Sequence, residues 1–552
     1  MTVVRRLITT LLLSLTATAL LAQEAPVARA TEPVSAETDQ DVNNPRAMRL
    51  TLRDALTTSL QSNLGVQVQQ YEYRITGENL RAAYGPFDWI ASGTAAISKN
   101  STPGNPTSHD LSIGAGVSQF LPTGGDYSVG VSNSRSTVNG GINPQYGSGL
   151  DLAFNQPLLR DFGIDVNRRG IAIARNNLGI SDEQFRTVTM DTVHATEQAY
   201  LDLVYARRNV DVVKESLFLA RDQARITQIR IDVGASAPLD ILQPRVTIAT
   251  TEESLVSAVA AVRDAEDRLR ALLNLPQADW DRPIIPTDDV GYAPLAINTE
   301  AAVREALANR PEIAQQRFAT ENLRVQALYT RNQTLPALDL NLTYGAAGVA
   351  GRRAEINSNG DPTGRVISEP FTDALTDVFR SDFPSWKVGV TFGIPILNIG
   401  ARANARAAQL DLEESRLNQA QTEQNISVEV RSAARAVETY ARTIAASRAA
   451  RDAAERNLEA ERRRFENGMT TNFQVLEVQQ QLSDARVREL LALVGYNKAV
   501  AAYHRSVGDI LQIHNIALAD LPPVEEPKIL PFLDRYNWLN YGNLGRLEET
   551  PK

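Results

Sequence analysis

Histidine and cysteine carry much of protein chemistry near neutral pH, and this chain offers little of either: His109, His194, His504 and His514, and no cysteine. The histidines stand at no metal-ligand spacing such as H-E-x-x-H, so each reads as an ordinary surface or core residue. Lacking cysteine, the chain has no disulfide, thiolate metal site, thiol nucleophile or lipid-bearing N-terminal Cys. Methionine occurs only at positions 1, 48, 190 and 469, which is no soft-ligand ladder for copper or silver. Neither a P-loop nor a G-x-G-x-x-G occurs, so no cofactor, metal or enzymatic activity is expected. Carboxylates remain: 65 Asp and Glu against 56 Lys and Arg, interspersed, for a net charge of −9. That balance offers no basic face to nucleic acid. Most of these acids read as a solvated helix face, but Asp240 and Glu477 each follow a helix reversal. The helix dipole favours a carboxylate there whatever else it does.

The elements that position these residues begin with an address. Arg5-Arg6, an apolar run from Leu7 to Leu21 and Ala22-Gln23 form an export signal over residues 1–22. Residues 23–50 read as a linker, with Ala28-Arg29-Ala30 as a second small-x-small site. Beyond it no run of about 18 apolar residues occurs, so an exported chain either stays in water or crosses a membrane as a β-barrel.

The chain is written twice. Arg230-Ile-Asp-Val-Gly234 returns as Arg464-Phe-Glu-Asn-Gly468, Gln156-Pro157-Leu158-Leu159 as Ile394-Pro395-Ile396-Leu397, Pro86 as Pro336, and Leu60…Asn63 as Leu307…Asn309. The order is kept, with offsets between about 234 and 250 residues. Repeat one covers 51–290, with strands about 88–157, and repeat two covers 291–514, with strands about 337–396; residues 515–552 form a C-terminal tail, expected in the periplasm.

Within each repeat a lead helix (Leu52 to Ser62; Ala301 to Ala308) precedes a second (Val66 to Ala83; Glu312 to Gln333), which a proline stops. The period then changes to two. Leu338, Leu340, Leu342 and Tyr344 alternate with Asp339, Asn341 and Thr343; Trp386, Val388, Val390 and Phe392 alternate with Lys387, Gly389 and Thr391. Leu111 to Gln119, Tyr127 to Ser132, Leu150 to Asn155 and, more weakly, Trp89 to Ile97 bring the candidate strands to six. Alternation alone also fits a soluble sandwich, but the small polar residues between the apolar ones suit a watery lumen; six strands fall short of the eight that close a single-chain barrel, so in a barrel several chains must share one. After Pro157 and Pro395 come helices of about 65 residues, each about 100 Å long, with narrow Ala-rich seams that include Val193, Tyr200, Val430 and Tyr440. Each turns at Gly234 or Gly468 into a return helix half as long, Leu239 to Leu273 or Phe473 to Val507. The second helices of about 20 residues, stacked end to end on the returns, would cover the rest.

From about Arg49 to Ile513 this ordered set of landmarks resembles the TolC-like outer-membrane efflux proteins, or outer membrane factors. The resemblance implies an α+β membrane protein of the outer membrane: a homotrimer with four strands per chain in a shared twelve-strand barrel and a long α-helical periplasmic tunnel. It implies a passive exit duct of a tripartite efflux or type I secretion system, docked on a periplasmic adaptor (a membrane fusion protein) and an inner-membrane pump. Adaptor docking falls at Arg230, Val233, Gly234, Arg464 and Gly468; a periplasmic gate at Asp240, Gln474 and Glu477; barrel–tunnel junctions at Pro86, Pro157, Pro336 and Pro395. Family members commonly place carboxylates at the Gln474 and Glu477 positions, and here only Glu477 is acidic. The hairpin around Pro122-Thr-Gly-Gly125 and the tail from Ala517 to Lys552 depart from the family pattern. An exported coiled-coil scaffold or adhesin is the alternative; it accounts for the helices but not for the duplicated strand block.

Overall fold

The structure, a computed structural model, describes residues 44–357, 361–518 and 521–528. The expected signal segment and most of the expected linker lie outside the described residues. The first half of the chain runs β1 (Met48–Leu50), α1 (Leu52–Ser62), α2 (Leu64–Ala82), β2 (Ile90–Asn100), β3 (Ser108–Phe120), β4 (Asp126–Val138), β5 (Gln145–Pro157), α3 (Arg169–Asp232), α4 (Leu242–Leu273) and β6 (Ile284–Pro286). The second half runs α5 (Thr299–Asn309), α6 (Pro311–Asn332), β7 (Ala337–Ile356), β8 (Pro362–Glu369), α7 (Phe371–Arg380), β9 (Phe383–Gly393), α8 (Ile399–Glu466) and α9 (Asn472–Val507).

Helix starts follow local capping chemistry. Thr51 accepts from the Asp54 N–H to open α1, and the Asn63 side chain accepts from Gly65 and Val66 to open α2. At 64 and 68 residues, α3 and α8 extend roughly 96 and 102 Å. Their shorter partners are laid end to end. Where α4 stops, α1 ends and α2 begins: Asn63 Nδ2 donates to Leu272 O at 3.0 Å and Ser62 Oγ to Leu273 O at 2.6 Å. Where α9 stops, α6 begins, with Arg310 Nη1 donating to Ser506 O at 3.1 Å. Thus α4 and α2 line α3, α9 and α6 line α8, and α3 packs on α6 and α9 to join the two sets into one wall. The seams bury Val193, Tyr200, Leu203, Val210 and Leu217 on α3, and Val430, Val437 and Ile444 on α8. Tyr440, expected in the seam, is half-exposed. The end of the expected linker is a strand instead: β1 pairs in parallel with β6, and Leu50 O accepts from the Tyr200 hydroxyl at 3.1 Å. Three-residue strands carry too little pattern to announce this pairing, whose partner lies more than 230 residues away.

The strands form one antiparallel sheet ordered β2-β3-β4-β5-β7-β9, with β8 on the distal part of β7. All six expected strands are present in the sheet of one chain. The hairpin β3–β4 stays in the sheet because it pairs fully on both flanks, β3 with β2 over 11 residue pairs and β4 with β5 over 11. Cross-strand partners share a face. One face carries Ile97, Ile113, Val117, Val129, Val131, Leu150, Leu152, Phe154, Leu338, Leu340, Leu342, Val388, Val390 and Phe392; the other carries Ser92, Thr94, Ser112, Gly114, Ser128, Gly130, Ser132, Gly149, Asp151, Asn341, Thr343, Gly389 and Thr391. In one chain much of the apolar face is uncovered, with Val390 63% and Phe392 62% exposed. So large an uncovered apolar surface requires a partner or a lipid.

Candidate functional site

The far ends of the long helices are two matching turns. After α3, Gly234 has φ 75°, the Ala235 N–H donates to Arg230 O at 2.7 Å and the Gly234 N–H to Ile231 O at 3.0 Å. After α8, Gly468 has φ 71°, with Met469 donating to Arg464 O at 2.9 Å and Gly468 to Phe465 O at 3.0 Å. Both are Schellman caps, which glycine enters without the strain a side chain brings to positive φ. A Cβ at either glycine would meet nothing within 4 Å, so only the backbone angle selects the residue from inside the chain.

The arginines of the two turns are not equivalent. Arg230 Nη2 donates to Phe465 O at 2.6 Å, and its guanidinium lies 4.0 Å above the Phe465 ring. It therefore ties the first tip to the second, satisfying a carbonyl at the C-terminus of α8. Arg464 pairs with Glu461 of its own helix at 3.2 Å and remains 63% exposed. Val233 is exposed at the same end. Adjacent to the tips, Gln223 Nε2 donates to Asn472 Oδ1 at 2.7 Å.

Of the expected gate residues, Asp240 accepts from the Ala237 N–H at 3.0 Å and so caps its own helical turn. The Gln474 backbone N–H donates to Thr471 Oγ1, which opens α9. Glu477 stands exposed beside the buried Val475, Leu476 and Val478. Of the three, it alone projects a carboxylate from the middle of a helical turn rather than spending it on a cap.

At the opposite end the four prolines mark the transitions between helix and sheet. Pro86 lies in the single turn between α2 and β2, Pro157 ends β5, Pro336 immediately precedes β7 and Pro395 follows β9 by two residues. The junction is stitched by Leu158 N–H to Leu338 O at 2.7 Å and Arg160 N–H to Pro336 O at 3.2 Å. Asn398, at φ 45°, donates from Nδ2 to Thr334 O at 3.0 Å as α8 departs.

Sequence reasoning missed a strap across this junction. Residues 521–528 lie along α2 and α3: Glu526 accepts from Arg175 Nε and Nη2 at 2.9 and 2.6 Å and from the Tyr84 hydroxyl, while Glu525 O accepts from Arg81 at 3.2 Å. Burial opposes ionisation of Glu526, but hydrogen bonds from Arg175 and Tyr84, then the charges of Arg175 and Arg168, outweigh it and hold the carboxyl below its usual range. Burial and the neighbouring carboxylate push Tyr84 up to about 12, so it stays a donor. Nothing in the tail sequence signals this contact, because its partners lie about 350 and 440 residues earlier. Two of the histidines meet carboxylates: His504 meets the neighbouring Asp509 at 3.0 Å, and His514 meets the distant Glu197 at 3.1 Å.

A two-faced sheet beneath a long helical hairpin pair is the architecture that the comparisons match. The family model for outer membrane efflux proteins matches residues 112–275 and 302–509. The chain belongs to that family. As an outer membrane efflux protein it is placed in the outer membrane, with its helices as the periplasmic tunnel and its role that of an efflux or secretion channel. It is 22% identical over 459 residues to the outer membrane efflux protein BepC of Brucella suis biovar 1, an alignment covering 83% of this chain and 84% of that protein. It is 26% identical over 204 residues to the alkaline protease secretion protein AprF of Pseudomonas aeruginosa, covering 35% and 40% of the two chains. The fold is shared with the Campylobacter jejuni CmeC outer membrane channel, at TM-score 0.61 and 17% identity over 91% of this chain and 94% of that one. VceC of Vibrio cholerae matches at TM-score 0.60 and 15% identity, over 86% and 98%.

Proposed function

We propose that three copies of this efflux protein close a single barrel of eighteen strands, and that the tips at Gly234 and Gly468 dock a periplasmic adaptor fed by an inner-membrane pump. The observation that supports the barrel is the sheet's pair of bare edges, β2 and β9. A sheet edge is not tolerated in lipid. Because successive strands alternate in direction, β9 of one copy runs antiparallel to β2 of the next. At about 4.8 Å between strands and a tilt of about 40°, eighteen strands enclose a barrel roughly 36 Å across, against roughly 24 Å for twelve. The apolar face then meets lipid and the Ser, Thr and Gly face lines the lumen.

The chain supplies no chemistry for moving cargo, so the duct is passive and the energy belongs to the partners. Glu477, repeated around a threefold axis, forms a cation-attracting ring near the periplasmic mouth. Mass measurement of the detergent-solubilised, unheated protein tests the assembly: three chains are expected, and a monomer as the sole species overturns it. Strand number is read separately, by imaging the barrel in cross-section, where twelve strands would leave one hairpin of each chain outside the wall.

A further inference from the structure

Helix α7 lies on the wrong side of the wall for a channel part. It packs on β7 and β5, where Ala346, Gly348 and Ala350 of β7 and Ser148 of β5 are covered. A Cβ on Gly348 would stand 1.9 Å from Ala374 O, so the helix backbone rests directly on the strand. Tyr146 meets Phe371 edge-on at 5.7 Å between centroids, and Tyr344 bonds Ser381, the residue that caps α7. All of these strand residues belong to the apolar face, in register with Leu340, Leu342, Val388 and Val390. The helix is therefore outside the barrel, where the lipid is.

Its height follows from strand geometry. An apolar band about 25 Å tall, crossed at about 3.3 Å per residue and a tilt of about 40°, spans roughly ten residues. Counted from Leu338 at the periplasmic end of β7, that reaches Gly348, while Tyr344 and Trp386, an aromatic pair in direct register, lie roughly 10 Å below it. The helix thus sits at the outer boundary between acyl chains and headgroups.

Its faces fit that level. Ala374, Val378, Phe371, Leu375 and Phe379 occupy an arc of about 140° at 100° per residue, while Thr372, Asp373, Thr376, Asp377 and Arg380 fill the rest. The sheet covers only one border of the apolar arc: Ala374 and Val378 are buried, whereas Phe379 at the other border is 80% exposed. We propose that α7 is an interfacial helix that lies in the outer leaflet against the barrel wall, with Phe371 and Phe379 among the upper methylenes of the lipid chains and Asp373, Asp377 and Arg380 toward the headgroup water. It anchors the outer rim of the barrel at a fixed height in the membrane.

The proposal rests on the assignment of the apolar sheet face to lipid, and the test separates the two. Because the chain has no cysteine, single labels can be placed directly. Phe379→Cys, Thr376→Cys and Val390→Cys carry a nitroxide in the assembled protein reconstituted in phosphatidylcholine vesicles, and collision with oxygen is compared with collision with a water-soluble nickel chelate. The expected oxygen-to-nickel ratio at 379 is about fivefold or more above that at 376 and approaches that at 390. A water-like ratio at 379 beside a lipid-like one at 390 overturns the interfacial helix while leaving the barrel intact. Shielding of 379 from both reagents also overturns it, since protein rather than lipid then covers the face. A water-like ratio at 390 overturns the sheet assignment itself, and the helix proposal with it.

Discussion

Replacing Glu526 with Gln should free the strap from the barrel–tunnel junction while leaving the trimer in place. The carboxylate accepts two hydrogen bonds from Arg175, at 2.9 and 2.6 Å, and a third from Tyr84. The side chains of Arg175 and Glu526 are 30% and 21% exposed, enough to blunt but not abolish the coupling. Removing one member of such a pair from a mostly buried site costs about 3–5 kcal/mol at full burial, and partial exposure reduces this to roughly 2–3 kcal/mol per chain. A local opening equilibrium would therefore shift by about 30- to 150-fold at 1.4 kcal/mol per decade. Hydrogen exchange of residues 521–528 reads that shift directly, because the strap opens without the helices. Acid should imitate the mutation. The folded pKa of Glu526 is depressed, so its contribution is present above the unfolded value and is lost as pH falls through the folded one, below 4.5. Exchange in the strap that is the same in Glu526→Gln as in the parent at pH 7 would refute the reasoning.

Four other outcomes are expected. Arg in place of Val388, in register with Leu342 and so near the bilayer midplane, should cost about 2–4 kcal/mol of assembly, while Arg at Thr391 should mainly change conductance; equal yields of folded trimer from both contradict the facing of β9. Glu477→Gln should weaken cation preference in planar-bilayer recordings at low salt and less so at high salt, and unchanged selectivity at low ionic strength removes Glu477 from the gate. Gly468→Asn should keep export, since Asn tolerates the left-handed angle, whereas Gly468→Trp should abolish export with trimers still inserted; survival of export in Gly234→Trp and Gly468→Trp alike moves the docking surface elsewhere. Arg230→Ala should loosen the second tip by about 1–2 kcal/mol, seen as faster exchange over residues 464–470 and no change near the barrel.

The fold was legible where period and punctuation agree. The helix boundaries around Pro86, Pro336, Gly234 and Gly468 could be read to within a few residues, because proline and glycine act on their own backbone. The six long strands were legible too, most clearly where alternation is strong, as at Leu338 to Tyr344 and Trp386 to Phe392, although the strands run past the alternating stretches at their ends. What stayed hidden depends on distant partners. The β1–β6 pair is three residues on each side and carries no pattern of its own. The distal part of β7, Ala346 to Ile356, lost its alternation because α7 covers that face and only Ala and Gly fit beneath it. Helix α7 does carry a helical signal, the i, i+3, i+4, i+7, i+8 spacing of Phe371, Ala374, Leu375, Val378 and Phe379, which sequence reasoning missed. At the tips, sequence presented Arg230 and Arg464 as equals; only the packing of α3 on α9 and the closeness of the two turns divert Arg230 inward. Asp240 and Glu477 likewise read alike, until the Ala237 cap distinguished them.

The seam between β5 and β7 has a consequence in time. Pro157 pairs with Asp339, and the chain between them makes the whole journey down α3 and back up α4 and α6. The meander from β2 to β5 is built from neighbours and can form quickly, but β7 reaches it only after that long loop has closed. Antiparallel helix hairpins close from short turns, so the coiled coil is the faster event and draws the distant strands together. The part that ends up deepest in the periplasm is then the part that folds first, and the membrane sheet is zipped last, on a scaffold already standing.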